Sequence, residues 1–224
     1  MQVTLITHTP EPEKVIASAA KLCYSSSGIS DLMENLTADK VEAFIKKLTD
    51  LGHQSPLEHC TFTFGIEGVS RALSHQLVRH RIASYSQKSQ RYVNESGFEY
   101  ITPPSIKEHK DFADWYPQYM KSLQVLYECL ISEGIPAEDA RFILPNACET
   151  KIIMTMNIRS LLHFFEERCC NRAQWEIRAM ANEMLAICKK VAPTLFAKAG
   201  ASCVRGRCKE GKMSCGKPFS GGAE

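Results

Sequence analysis

Three groups of side chains carry most of the chemical capacity of this sequence. In the first, Arg79-His80-Arg81 sets basic residues on consecutive positions. Successive side chains on a helix diverge by about 100°, so a single carboxylate cannot satisfy all of them. Taken alone, the tripeptide is explained as positive charge at a helix C-terminus, where the macrodipole favours it. The next stretch weakens that explanation, because Ser84-Tyr-Ser-Gln-Lys-Ser-Gln-Arg-Tyr92 has no aliphatic residue while offering hydroxyls, amides and cations without interruption. Read as a loop, it has nothing to bury except a polar ligand. Guanidinium groups at Arg79 and Arg91 suit phosphate oxygens, and serine hydroxyls fill remaining lone pairs, so a phosphate is the expected ligand. A solvated surface loop is the alternative.

The second group is Asn157-Ile-Arg-Ser-Leu-Leu-His-Phe-Phe-Glu-Glu-Arg168, where Asn157 can cap a helix. Arg159, His163, Glu166 and Glu167 fall towards one side of the wheel, whereas Arg168 shares the opposite face with Leu161, Phe164 and Phe165. A guanidinium held against apolar surface needs an anionic or strongly accepting partner, either a ligand or a structural acid. The third group, His53-Gln-Ser-Pro-Leu-Glu-His59, matches neither a zinc-protease helix nor a tetrahedral site, so no metal is expected. Its histidines are either hydrogen-bonded loop residues or contacts at the mouth of a site. Cys203, Cys208 and Cys215 form no Cys-x-x-Cys pair and read as reduced, exposed thiols.

These groups must be positioned by regular elements. Gln2 to His8 alternates as a strand does, and a helix is predicted over Glu13 to Leu22. Thr37 is placed to cap a helix carrying Val41, Phe44, Ile45, Leu48 and Leu51, which Gly52 stops. Cys60 to Gly68 alternates as a second strand, and Val69, Leu73 and Leu77 open a helix that runs into Arg79. A long helix is predicted from Trp115 to Ile131, then Pro136 begins a short helix containing Arg141. Glu149 to Met156 reads as a strand, with helices following at Ile158 to Arg168 and Gln174 to Val191. The expected class is α+β, a single domain with a central, mostly antiparallel sheet flanked by helices. Residues 1–199 are expected as the catalytic domain and 200–224, rich in glycine, lysine and cysteine, as a mobile tail.

Composition narrows the function classes. The 224 residues are 44% apolar, enough for a sizeable core, and Lys+Arg 27 against Asp+Glu 25 gives no overall pull towards nucleic acid or membrane. The N-terminal segment has neither a signal core nor a membrane-spanning length, so a cytoplasmic location is expected and the ten cysteines read mostly as reduced core thiols.

Taken together, Arg79-His80-Arg81, seven further residues, Ser89 and then Arg91 resemble the signature of flavin-dependent thymidylate synthases. Support in register comes from Gly52-His53 with Pro56 and Glu58-His59, from Ala140-Arg141 with Leu144-Pro145, from Asn157 with Arg159-Ser160-Leu161, and from Ala173-Gln174-Trp175-Glu176. The resemblance runs from about the first helix to Val191 and says little about the tail. It implies methylation of dUMP to dTMP, with 5,10-methylenetetrahydrofolate as carbon donor and FAD, reduced by NADPH, carrying hydride to the pyrimidine. It implies FAD contacts at Ser55, Arg79, His80, Arg81, Gln87, Asn157, Arg159 and His163. Likewise it implies dUMP contacts at Gln76, Arg79, Gln87, Ser89, Gln90, Arg91, Arg141 and Arg168, with His53 near the folate or nicotinamide. Arg168 is the implied catalytic residue, stabilising negative charge on the pyrimidine without a cysteine adduct. The family assembles as a homotetramer with active sites shared between chains. Ser86 and Gln87 depart from the asparagine and glutamate common there.

Two other classes stay open on the residues themselves. A nucleic-acid module would use Arg79, Arg81, Lys88 and Arg91 on phosphates and Tyr85 or Tyr92 for stacking, although no long basic stripe accompanies them. A flavoprotein oxidase would share the cofactor but ignore folate. Ser89 is placed as a hydrogen-bond donor rather than a nucleophile, since no base is paired with it in sequence.

Overall fold

The alternating N-terminal segment forms strand β1 (Gln2–His8), and Pro12, whose missing N–H costs nothing in a first turn, opens α1 (Pro12–Leu22). Residues 1–219 are described by a computed structural model; the last residues of the expected tail, 220–224, lie outside the described residues. Helix α2 (Ile29–Glu34) is short, and α3 (Ala38–Asp50) buries Val41, Ile45 and Leu48. Thr37 stands at the N-cap of α3, but its side chain accepts no hydrogen bond from the helix.

Strand β2 (Thr61–Ser70) buries Phe62, Phe64 and Ile66 in alternation, then slips by one residue at Gly68, whose φ is +68°. Val69 is the next buried side chain, so it belongs to the strand rather than opening the helix as expected. Ser70 does that instead: its Oγ accepts from the Leu73 amide at 3.0 Å and caps α4 (Arg71–Leu77). The polar stretch expected as a loop forms a strand over its first part, β3 (Ala83–Gln87). There follow α5 (Pro104–Lys107), α6 (Phe112–Ser132) and α7 (Ala137–Ala140); Arg141, expected inside that last helix, begins a separate 3-10 turn. The chain continues through β4 (Glu149–Asn157), α8 (Ile158–Arg168) and α9 (Trp175–Val191).

The antiparallel strands are ordered β1-β2-β4-β3, which with the helices gives the expected α+β class and leaves β1 and β3 as edges. The residues fall into two compact units: Met1–Gln2, Ile66–Arg79 and Tyr85–Ile153 form the first, and Val3–Gly65, His80–Ser84 and the residues from Met154 onward form the second. Phe98, Met120 and Cys148 centre a core in the first, with Tyr100, Tyr116, Leu123 and Leu144 packed around them. In the second, buried aromatic rings meet edge-on: Phe62 with Phe196 at 5.8 Å, Phe165 with Phe196 at 6.0 Å, and Phe164 with Phe165 at 5.7 Å. Among the described residues no helix is long and apolar enough to cross a membrane.

The tail belongs to the second unit and contains 3-10 turns at Ser202–Val204 and Gly211–Met213. Cys203, expected to be exposed, is buried at the root of the tail with Ala199 and Ala201.

Candidate active site

Helix α8 carries the densest part of the site. Asn157 caps it as expected, its Oδ1 accepting from the Ser160 amide at 2.8 Å. Leu161, Phe164 and Phe165 are fully buried on one face, which leaves Arg168, one turn beyond Phe164, half-buried at the helix end. Its Nε donates to His80 Nε2 at 2.8 Å. The strongly accepting partner that Arg168 needs is therefore a neutral imidazole, and among the described residues no carboxylate pairs with it.

His80 is held in that state by its surroundings. Its ring meets Phe164 edge-on at 5.0 Å and His163 at 6.1 Å. Burial, then the charge of Arg168, then that of His163 push its pKa from 6.5 down to about 4. At neutral pH the ring accepts a hydrogen bond from the guanidinium, while the positive charge on Arg168 stays uncompensated.

Among the other cofactor candidates of the second unit, Asn157 stands at the N-cap of α8, Arg159 and His163 lie on it, and Ser55 opens a 3-10 turn, Ser55–His59, that packs against α1 and α8. Arg159 Nη1 donates to Glu58 Oε1 at 2.5 Å, tying the first turn of α8 to that 3-10 turn. Ser55 and His53 are exposed, as is Arg81. Ile82, next to Arg81, is 77% exposed with φ +63°, a left-handed conformation in which a β-branched side chain is strained.

The substrate candidates, apart from Arg168, gather in the first unit. Arg79 is exposed just past α4, and Gln76 is half-buried on that helix. On β3, Tyr85 donates its hydroxyl to the Leu77 carbonyl at 2.9 Å, and Gln87 Nε2 donates to Thr150 Oγ1 at 3.1 Å. Beyond the strand, Lys88 Nζ reaches Glu95 Oε2 at 2.8 Å, a carboxylate only 4% exposed. Ser89, Gln90 and Arg91 are thus the start of a turn closed by a largely buried ion pair. Gln90 Nε2 and Glu95 Oε1 are buried with no hydrogen-bond partner among the described residues. Arg91 and Arg141 converge on one residue: Arg91 Nε donates to Glu138 Oε2 at 2.5 Å and Arg141 Nε to the Glu138 carbonyl at 3.0 Å. The stretch after His80 therefore does have something to bury. Tyr85, Gln87 and Lys88 find protein partners, contrary to the expectation that only a ligand could occupy the stretch, while Gln90 Nε2 does not.

The resemblance assigned His80 and His163 to the flavin and Arg168 to dUMP, and His80 here touches both of the others. It also grouped Arg91 with Arg141, but it missed Glu138, which joins them, and Glu95 beneath Lys88. Both are acids at ordinary spacing, with no local pattern to mark them. Arg79 divides from its neighbours, since it belongs to the first unit and His80 and Arg81 to the second.

Residues 4–194 match the family model described as thymidylate synthase complementing protein. The chain is 57% identical over 219 residues to a flavin-dependent thymidylate synthase of Geobacter sulfurreducens, covering 97% of this chain and 94% of that one. It is 53% identical to the enzyme of the same name from Clostridium tetani, again covering 97% and 94%, and 44% identical to that of Pyrococcus furiosus, covering 94% and 90%. With most of the chain matched at both levels, it belongs to the flavin-dependent thymidylate synthases, a family of enzymes.

Proposed function

We propose that this chain methylates dUMP to dTMP, taking the carbon from 5,10-methylenetetrahydrofolate, with FAD as the hydride carrier and NADPH as its reductant. The observation that carries the reading is Arg168, whose Nε is fixed on a neutral His80 while its charge is unmatched by any carboxylate among the described residues. Both Nη groups carry no hydrogen bond among the described residues and are available to a pyrimidine edge. Carbon–carbon bond formation at C5 needs negative charge to accumulate on the ring, and a desolvated guanidinium facing N3 or O2 stabilises it. No cysteine is needed as nucleophile, and burial pushes the thiol of Cys169, beside Arg168, up to about 12.

The dUMP candidates in the first unit suit a nucleoside monophosphate. Arg91 and Arg141 share Glu138 as partner, and an exposed ion pair is weak enough, about 0–1 kcal/mol, to yield to a phosphate. Ser89, Gln90, Gln87 and Gln76 offer further donors and acceptors for the base and sugar. For FAD the donor set fits a diphosphate: Arg81 is exposed and without an ion pair among the described residues, with Ser55, Arg159, Asn157 and His163 supplying hydroxyl, cationic and amide groups. Arg79 and His80 complete that set, with His53 towards the folate or nicotinamide. When bound, FAD supplies the hydride that reduces the transferred carbon to a methyl group.

Assembly as a homotetramer belongs to the same reading. On α6, Phe112, Trp115 and Tyr119 are 52%, 66% and 67% exposed and line a cavity of about 730 Å3, an apolar surface suited to contact with another copy.

The visible spectrum of the purified protein, recorded before and after dUMP is added, tests the pairing of flavin and nucleotide. A flavin spectrum that shifts is expected; a protein that stays colourless with FAD supplied would overturn the reading. Arg168→Ala is expected to keep bound flavin and lose nearly all turnover, and wild-type turnover in that variant would remove Arg168 from the mechanism.

A further inference from the structure

We infer that the C-terminal tail is a strap that positions Arg168 for the reaction, and that Glu166 is the positioning residue through which it acts. The inference rests on the assignment of Arg168 as the charge-stabilising group. The tail lies beyond residues 4–194 that the family model matches.

Its contacts are concentrated on both sides of Arg168 in sequence. Two residues before it, Glu166 receives Arg205 Nη2 on Oε2 at 2.6 Å and Lys209 on Oε1, and its side chain is only 13% exposed. Burial alone would raise the Glu166 carboxyl, but the hydrogen bond and charge of Lys209, with the charges of Arg205 and His163, hold it below the ordinary carboxylate range. Three residues after Arg168, Asn171 Nδ2 donates to the Lys217 carbonyl at 3.1 Å. Arg172 Nη1 is paired with Glu210 at 3.2 Å and also donates to the Met213 carbonyl.

The root of the strap is anchored independently. Ala199, Ala201 and Cys203 are buried, and the Phe219 amide donates to Cys203 Sγ at 3.5 Å. The last turn of α8 is thus gripped at residue 166 and the turn that follows it at residues 171 and 172, while Arg168 itself is held by His80.

A helix end frays when its last carbonyls and side chains face only water. Transition-state stabilisation by a guanidinium depends on its being fixed where charge develops, and small displacements are costly in rate. Loosening the strap should therefore reduce turnover more than nucleotide affinity, which comes mostly from other residues.

The test uses the full chain carrying Arg205→Gln with Lys209→Gln, which leaves Glu166 without either cation. The expected result is a fall in kcat of tenfold or more, with KM for dUMP changed less than threefold and flavin content retained. The charge-exchanged combination Glu166→Lys with Arg205→Glu and Lys209→Glu should recover most of the turnover. Unchanged kcat in the double variant would overturn the strap. So would a loss that the charge exchange leaves untouched while flavin and KM stay normal.

If the double variant fails to fold, amide hydrogen exchange in the single Lys209→Gln variant decides. Faster exchange confined to residues 165–172 supports the strap, and unchanged exchange there overturns it. Failure of the underlying assignment is distinguishable. Turnover retained in Arg168→Ala removes the reading itself, whereas turnover lost there and kept in the double variant removes the strap alone.

Discussion

Replacing His80 by glutamine tests the account of the α8 cluster through stability against pH. The folded-state pKa of His80 is lowered from 6.5 to about 4, by burial first and then by Arg168 and His163. The unfolded chain therefore takes up the proton first as pH falls. The stabilisation associated with a neutral His80 is complete above pH 6.5, is lost progressively between 6.5 and about 4, and changes no further below. At about 1.4 kcal/mol per unit the interval sets a ceiling of about 3 kcal/mol, which solvent screening of a half-buried ring reduces to about 1–2 kcal/mol.

A glutamine oxygen can still accept the Arg168 Nε hydrogen but does not titrate. Urea unfolding at pH 7.0 and about 4.5 would be compared between the two proteins. The wild-type protein should lose about 1–2 kcal/mol more than His80→Gln across that interval. Parallel pH dependences would show that the ring is not held neutral by the fold and would refute the argument.

Three further outcomes are expected. Glu138→Gln removes a carboxylate that competes for Arg91, so dUMP should bind up to about fivefold tighter, read from a flavin difference titration; weaker binding would show that Glu138 orients the arginine instead. Ile82→Gly relieves left-handed strain of about 1–2 kcal/mol, less the added freedom of the unfolded chain, so the protein should gain about 0.5–1 kcal/mol in a thermal melt; a lower Tm would contradict this. Lys88→Met strands the buried Glu95 carboxylate and should cost about 3 kcal/mol in denaturant unfolding, and adding Glu95→Leu should restore most of it; additive losses would mean that the pair is not coupled.

Elements with strong periodicity were legible in the sequence. The buried face of α8 follows from its apolar spacing, with Phe164 and Phe165 beside Arg168, and that of α3 does so through Leu48, whereas Leu51, expected on the same stripe, caps the helix and is exposed. Strand β3 was not legible, because strand reasoning looks for aliphatic residues on alternate positions and this strand has polar ones. It is an edge strand, with Tyr85 and Gln87 satisfied by the Leu77 carbonyl and the Thr150 hydroxyl, so it needs little apolar surface. Val69 was misplaced for another reason, since a single left-handed glycine moved the strand's alternation by one. At the site, the pairing of Arg168 with His80 spans 88 residues and that of Arg91 with Glu138 spans 47, separations at which no local pattern operates.

The buried thiols supply a clock for the breathing of each unit. Burial pushes Cys148 up to about 11 in the first unit, and Cys60 and Cys169 up to about 11 and 12 in the second, so these three hold almost no reactive thiolate while they stay buried. A thiol reagent would first consume Cys23, Cys129 and Cys215, which are exposed. After that it would advance only as fast as local openings present the rest. Mass spectra of the labelled peptides would then time the opening of the two units separately, in one tube and without a mutation.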